Sequence, residues 1–269
     1  MVFLMGQIFP DNPNEVYADL PPGHIRTDDP LGIERSLAIT SHLPPNSAKV
    51  IAACDPIKSK RQGHLVAARA QLDAHRDEIV AFKCYLGFMG HPCDAGYEPY
   101  YKLAQEYDIP VIFHTGFLPS TLALFSDCHP LEIDKVAVRH QHMKIVIAHA
   151  GNPFFMEAVA VAGKNNNVWL DLSSLQCEEE ARAILMESEL PAAMPNFAVA
   201  VFREAITALN RYDRLLFGTD NICSPKTYRR FMERLIPEEH HSKVFRENAE
   251  KLFKVDVPEV VPGYGRYGE

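Results

Sequence analysis

The sequence predicts an α/β fold, and within that class a TIM-type (β/α)8 barrel that is distorted or abbreviated in its N-terminal portion. Short apolar runs alternate with longer helical patterns, which favours parallel strands joined by helices. The runs are continuous rather than alternating, as is typical of strands buried on both faces of a sheet. Polar residues follow several runs, and 269 residues match the size of one such barrel, about 250 residues.

Eight apolar runs supply the predicted strands. In chain order they are VFLMGQIF (2–9), SLAIT (36–40), KVIAACD (49–55), EIVAFKCYLG (78–87), IPVIFHTG (109–116), MKIVIAHAG (143–151), NVWLDLS (167–173) and RLLFGTD (214–220). Segments between them, such as GYEPYYKLAQEYD (96–108) and FAVAVFREAITALNRYD (197–213), are predicted to be helices. The pattern is therefore a repeated strand and helix.

The N-terminal part departs from this regular pattern. Residues 10–35 are rich in Pro, Asp and Asn, so the helix after the first strand is expected to be missing or very short. The gap between the second and third predicted strands leaves no room for a helix. We predict one domain over residues 1–269. Its first 48 residues are irregular and hold two strands, residues 49–253 form regular β/α units, and residues 254–269 form a C-terminal tail.

Charge and composition limit the classes of partner. The net charge of −8 argues against nucleic acid or an anionic membrane, because both require a basic surface. No apolar stretch resembles a membrane span, and the first residues lack the pattern of a signal peptide. The six cysteines contain no CxxC pair, as expected for reduced thiols. These features predict a soluble, cytoplasmic protein.

The residues that could carry chemistry follow the predicted strands. They are Asp55, His114, His149, Asp171 and Asp220. In parallel α/β folds the carboxyl ends of the strands meet at one edge, where sites are built. Imidazole and carboxylate groups can bind Zn²⁺, which lowers the pKa of a bound water, or one of them can act as a base. Alternatively, a histidine in this position only bonds to backbone carbonyls.

Six segments resemble, in order, motifs of the amidohydrolase superfamily. They are AFKCYLG, YKLAQEYDIPVIFHTG, IVIAHAGNPFF, NVWLDLSS, RLLFGTDNICSP and VFRENAEKLF. The resemblance as a whole extends over residues 49 to about 253. More narrowly, these segments resemble the branch that contains aminocarboxymuconate-semialdehyde decarboxylase, γ-resorcylate decarboxylase and related hydrolases. The resemblance implies a barrel with one divalent metal, commonly zinc, and a possible homodimer.

The resemblance also implies roles for individual residues. The metal ligands would be His114, His149 and Asp220, and the catalytic residues would be Asp220, His149 and Lys83. His149 would orient or activate a metal-bound water, and Asp220 would be a ligand or a base. The first strand departs from the family pattern. Met5 and Gln7 stand where two histidines of an HxH motif are expected, and both are poorer ligands for zinc than imidazole.

Three interpretations of this departure remain open. A metal could be held by fewer protein ligands, with Lys83 either carboxylated or paired as a plain amine with Asp220 or a substrate carboxylate. Hydrolysis could be metal-free, as in some lactonases, with His149 and Asp220 activating water and Lys83 polarising a carbonyl. The barrel could also have lost catalysis and serve in binding.

The predicted enzyme is a hydrolase of amide or lactone bonds, or a non-oxidative decarboxylase, acting on a small carboxylated or cyclic substrate. Asp171 is expected to support neighbouring groups or the fold. Ser173 and Ser174 lack the glycines of a nucleophile elbow, so a serine hydrolase is not expected.

Overall fold

A computed structural model of the protein describes residues 2–5, 29–118, 123–174, 195–220 and 225–257. Within these residues, seven parallel strands form one sheet whose spatial order is the order of the chain. The strands are β1 (Val2–Met5), β2 (Ala48–Ala53), β3 (Ile79–Cys84), β4 (Val111–Phe113), β5 (Ile145–Ile147), β6 (Val168–Asp171) and β7 (Leu215–Leu216). Because each strand pairs with the next one in the chain, all their carboxyl ends lie at one edge of the sheet.

Helices connect most of the strands and cover the outer face of the sheet. They are α1 (Glu34–Thr40), α2 (His64–Ala74), α3 (Glu98–Tyr107), α4 (Pro130–Arg139), α5 (Phe155–Lys164), α6 (Pro195–Leu209), α7 (Pro225–Glu233) and α8 (Asn248–Phe253). A π-helical turn, Lys243–Glu247, leads directly into α8. In the part of the chain that the structure describes, no helix combines the length and apolarity needed to cross a membrane.

The predicted second strand, residues 36–40, is wrong because this segment belongs to helix α1. The Asp29 carboxylate accepts hydrogen bonds from the backbone N–H groups of Leu31 and Glu34, so it ties down the start of the helix. Inside the helix, Leu37 packs against the core while the side chain of Ile39 is exposed. A short apolar run does not by itself distinguish a strand from a helix. As a result, β1 pairs directly with β2, and the described sheet has seven strands rather than eight.

The other predicted strands overlap observed ones, and their continuous apolar character has a simple cause. One face of the sheet packs against the helices, where the main core lies. The opposite face forms a second buried cluster, to which five strands contribute Ile51, Ala81, Ile112, Val146 and Leu216. Both faces are therefore buried, so both alternate sets of strand residues are mostly apolar, and the polar exceptions Lys83 and Asp171 lie at or next to the carboxyl ends of their strands.

The C-terminal segment closes this inner cluster. Leu252 and Phe253 at the end of α8, and Val255 just after it, are buried among the inner side chains of the strands. The ring of Phe253 lies 4.8 Å from that of Phe3 in β1, measured between centroids. The end of α8 thus joins the first strand to the rest of the inner core.

We expect Phe253→Ala to lower the free energy of unfolding by about 3 kcal/mol, because it removes a large buried side chain and leaves a cavity. Urea denaturation measures the change. Val66→Ala is the control, since Val66 is 74% exposed and its truncation should cost less than about 0.5 kcal/mol. Equal small losses in both variants would show that α8 does not close the inner core.

Candidate active site

The polar residues at the strand ends converge at the carboxyl edge of the sheet. Lys83 is the penultimate residue of β3 and lies two residues after Ala81, which places both on the inner face. His114 directly follows β4, and His149 lies in the short turn after β5. Asp171 ends β6 and pairs in register with Leu216 of β7. Because the strands are parallel and lie in chain order, residues far apart in the sequence meet at the carboxyl edge of the sheet, which is the mouth of the barrel.

Two histidines form the centre of this group. Nδ1 of His114 lies 3.2 Å from Nε2 of His149, and the two rings meet edge to face with centroids 4.9 Å apart. The other ring nitrogen of His149, Nδ1, lies 2.9 Å from Oγ of Ser173. Both nitrogens of His149 are thus engaged by protein groups. Nε2 of His114 is buried and has no hydrogen-bond partner among the described residues.

Ser173 links the histidines to Asp171. Its hydroxyl donates to Oδ2 of Asp171 at 2.5 Å, and its backbone N–H donates to Oδ1 at 3.2 Å. Gly218 lies against the same carboxylate, since a Cβ built there would come within 2.6 Å of Oδ1. Asp171, Ser173, His149 and His114 therefore form a row of hydrogen-bonded groups across three strand ends.

The turns after β4 and β5 fix the two rings relative to each other. His149 and Ala150 have left-handed backbone conformations, with φ of 60° and 45°, which turn the chain sharply after β5. Thr115 donates its hydroxyl to the carbonyl of Ala148 at 2.5 Å. The N–H of Phe117 donates to the carbonyl of Asn152 at 2.7 Å. These bonds join the two loops that carry His114 and His149.

Burial and a nearby positive charge determine the protonation of the histidines. Burial is the main cause that lowers the pKa of His149, to about 3, and the charge of Lys83 adds to it. The pKa of His114 lies well below its usual value, first because of burial and then because of Lys83 and His149. Asp220 and the Phe117 carbonyl oppose this shift. Both imidazoles are therefore neutral near pH 7.

Lys83 is the buried cation of the site, with 1% of its surface exposed. Burial lowers its pKa, whereas the negative charges of Asp171 and Asp220 raise it. Its Nζ also lies 5.6 Å from the centroid of the Tyr85 ring. For Asp171, burial raises the pKa of the carboxyl, while Ser173 and Lys83 lower it. Lys83 and Asp171 thus stabilise each other's charged forms.

Asp220 lies at the exposed rim of the same site. It follows β7 by four residues, has a left-handed backbone (φ 53°) and accepts a hydrogen bond from the hydroxyl of Ser174. Its charge acts on Lys83, His114 and Asp171, so it faces the same space. Asp55 has a different role. Its Oδ1 accepts from the N–H groups of Ile57 and Lys58, so it stabilises a loop.

The described residues do not by themselves fit a divalent cation. A zinc site takes at least three protein ligands, and no group of three or more His, Cys, Asp or Glu able to hold a metal occurs in the described ranges. Nε2 of His149 faces His114 rather than a common centre. Met5 is the last residue of β1, and Gln7 lies outside the described residues.

Comparison with known proteins identifies the family. A sequence model of the family described as Amidohydrolase matches residues 39–255 of this chain. The chain belongs to that family. This confirms the predicted superfamily and the predicted hydrolase class of enzyme. Members of the family generally depend on a divalent metal ion. A search of curated proteins gave no significant match.

Solved structures show the fold of this amidohydrolase. A TIM-barrel protein from Bordetella bronchiseptica is 22% identical, with a TM-score of 0.58 over 81% of this chain and 70% of that one. A probable 2-pyrone-4,6-dicarboxylic acid hydrolase from Acinetobacter baumannii is 14% identical, with a TM-score of 0.54 over 81% and 76% of the two chains. A 5-carboxyvanillate decarboxylase from Novosphingobium aromaticivorans, solved with manganese, is 12% identical, with a TM-score of 0.52 over 78% and 66%. The predicted barrel class is thus confirmed.

The lowered pKa of His149 predicts that acid destabilises the protein. Between its folded pKa of about 3 and the ordinary value of 6.5, the unfolded chain binds a proton that the folded protein does not. The contribution of His149 to the free energy of unfolding is therefore fully present above pH 6.5. It is lost as the pH falls through this window, by at most about 1.4 kcal/mol per pH unit. Urea denaturation at several pH values measures the slope. His149→Gln should flatten it, and an unchanged slope would contradict a neutral buried His149. His142→Gln, at an exposed position, is the control.

We expect Gly116→Ala to destabilise the protein more than Gly63→Ala. Both glycines have left-handed backbones, with φ of 79° and 81°, so each alanine costs about 1–2 kcal/mol in strain. A Cβ at Gly116 would also come within 2.0 Å of the Asn152 carbonyl oxygen, whereas one at Gly63 meets nothing within 4 Å. Thermal and urea denaturation compare the two variants. Equal losses would show that the loops of His114 and His149 are not in tight contact.

Proposed function

We propose that this amidohydrolase adds water to the carbonyl carbon of a small carboxylated or cyclic ester, lactone or amide at the mouth of the barrel. The single observation that carries the proposal is the buried Nε2 of His114. It has no partner among the described residues and lies in a site that also contains a buried ammonium and a rim carboxylate. A free basic nitrogen beside a cation is what hydrolysis of a carbonyl compound requires.

His114 would act as the general base. Its imidazole is neutral near pH 7 because burial and the charge of Lys83 lower its pKa. Nε2 would take a proton from the attacking water and later give it to the leaving oxygen or nitrogen. His149 is less suited to this step than the sequence predicts, because both of its ring nitrogens contact other protein groups. Its role would be to hold His114 in place.

Lys83 would bind the negative charge that develops on the substrate. An ammonium group in a site from which water is excluded stabilises an oxyanion more strongly than it would in water. The same charge would attract a substrate carboxylate, which favours carboxylated substrates. Asp220, at the exposed rim, would orient the attacking water and pass a proton on to solvent. Lys83 and Asp220 thus keep the catalytic roles predicted from the sequence, whereas the role of general base passes from His149 to His114.

Zinc remains a prediction for this chain. The described donors fall short of the three ligands that a zinc site needs, and His149 directs Nε2 at another imidazole. We therefore assign each step to side chains of the protein.

The metal content of protein purified without chelator and without a histidine tag shows whether the chain binds a metal ion. We expect hydrolysis to survive dialysis against a chelator. Activity lost on dialysis and restored by Zn²⁺ or Mn²⁺ would contradict the assignment.

The experiment is a hydrolysis screen with matched variants. Lactones, esters and amides that carry a carboxylate are offered, with uncharged analogues alongside, and product acid is measured. We expect Lys83→Met and His114→Gln each to lower kcat/KM by about 10²–10³-fold, the range for loss of an oxyanion donor or a general base. Lys102→Met and His142→Gln, both at exposed positions, serve as controls and should change little.

Two results would contradict the proposal. The first is release of CO2 from aromatic acids without any hydrolysis, which would assign the mouth to decarboxylation. The second is hydrolysis that both site variants leave intact, which would place the chemistry elsewhere.

A further inference from the structure

A row of hydrogen bonds connects Asp171 to His114. In each bond of the row, one group donates the proton and the next group accepts it. Four groups stand in a row: the Asp171 carboxylate, the Ser173 hydroxyl, the imidazole of His149 and the imidazole of His114. Neutral imidazole has one nitrogen that donates and one that accepts. In such a row, fixing the donor in one bond fixes the donor in each of the others.

The Asp171 end of the row is an acceptor. Its Oδ1 receives the backbone N–H of Ser173 and its Oδ2 receives the Ser173 hydroxyl. Burial raises the pKa of this carboxyl, and the two hydrogen bonds from Ser173 and the positive charge of Lys83 oppose that shift. The ionised form is the one that accepts both of these bonds. An ionised carboxylate can only accept hydrogen bonds. The hydroxyl proton of Ser173 therefore points toward Asp171.

The remaining bonds follow from this first one. Since the Ser173 hydroxyl donates its proton to Asp171, its oxygen must accept from Nδ1–H of His149 across 2.9 Å. Nε2 of His149 is then the bare nitrogen, and it accepts from Nδ1–H of His114 across 3.2 Å. Nε2 of His114 is left without a proton. This agrees with its environment, since the atom is buried and donates to no described residue.

We propose that Ser173 is a positioning residue that, together with Asp171, fixes both histidines as Nδ1–H tautomers and keeps Nε2 of His114 free of a proton. The catalytic meaning of this inference rests on the proposed function, but the tautomers exist without substrate. Nothing else in the row determines the direction, because an isolated pair of neutral imidazoles can bond in either order. Without the hydroxyl, the hydrogen-bonded link between Asp171 and Nδ1 of His149 is broken, and the opposite order becomes accessible.

The opposite order is a definite alternative. It requires a protonated Asp171 that donates to Ser173, a serine that donates to His149, and an Nε2–H on both histidines. His114 would then present a donor to the substrate and could not accept a proton from water. The Phe117 carbonyl raises the pKa of His114, but Nε2 of His114 forms no hydrogen bond within the described part of the chain.

The test is ¹⁵N NMR of histidine-labelled protein at about two pH units above the ordinary histidine pKa of ~6.5. Protonated and bare ring nitrogens have well-separated shifts, and assignment uses His114→Gln and His149→Gln. We expect Nδ1 protonated and Nε2 bare in both residues of the wild type. Protonated Nε2 in His114 of the wild-type protein overturns the inference, and this measurement needs no Ser173 variant to fold.

Three serine variants then test the hydroxyl itself. Ser173→Ala should give His114 and His149 signals that are mixed between the two tautomers, whereas Ser173→Thr, which keeps a hydroxyl, should restore the wild-type pattern. Ser59→Ala is the matched control, because Ser59 is also a buried serine and its Oγ bonds to the carbonyls of Pro56 and Gly96. If His114 and His149 keep their wild-type tautomers in Ser173→Ala, the Ser173 hydroxyl does not fix them, and the inference is wrong.

Kinetics separate this inference from the proposed function. With any substrate found in the screen, Ser173→Ala should lower kcat by about 10-fold or more with little change in KM, and Ser173→Thr should recover most of the rate. An equal rise in KM in both variants would indicate a merely structural serine. If no compound is hydrolysed, the proposed function fails while the ¹⁵N result still decides the tautomers.

Discussion

The buried ammonium group of Lys83 shifts the pKa values of the other ionisable groups at the mouth of the barrel. An ammonium held away from water is costly unless negative groups compensate it. Asp171 and Asp220 supply that compensation from two other strand ends, and the same positive charge lowers the pKa values of His114 and His149. One lysine thus favours a charged Asp171 and neutral imidazoles together. This combination of a cation, an acceptor carboxylate and bare imidazole nitrogen is suited to attack on a carbonyl group.

The fold makes this arrangement possible by aligning strand ends. Parallel strands in chain order bring Lys83, His114 and Asp171 to one edge, although they are far apart in the sequence. Fine placement depends on the loops rather than on the strands. The contact of Gly116 with the Asn152 carbonyl and the left-handed turn at His149 bring two rings within hydrogen-bond distance. The buried apolar cluster that α8 closes includes Ala81, which shares the inner face of β3 with Lys83.

Sequence patterns predicted the barrel class and the edge at which the polar residues meet, because a buried apolar run that stops at a polar residue is typical of a strand ending at the mouth of a parallel barrel. They failed at residues 36–40, where a short run around three apolar residues fits a strand and a helix equally well. They also missed the role of Ser173. Its position two residues after a strand-ending Asp was visible, but its bond to His149 depends on a turn from another strand. For the same reason, sequence alone did not show that both nitrogens of His149 contact protein groups and that the free nitrogen belongs to His114.

A crystal structure of the protein with malonate or citrate bound would show whether Lys83 binds a negatively charged substrate group, since a carboxylate mimics that charge. We expect a carboxylate oxygen about 2.7–3.2 Å from Nζ of Lys83, with the rest of the ligand facing Nε2 of His114. A carboxylate that binds only on the outer surface, with the space between Lys83 and His114 filled by protein side chains, would contradict this expectation.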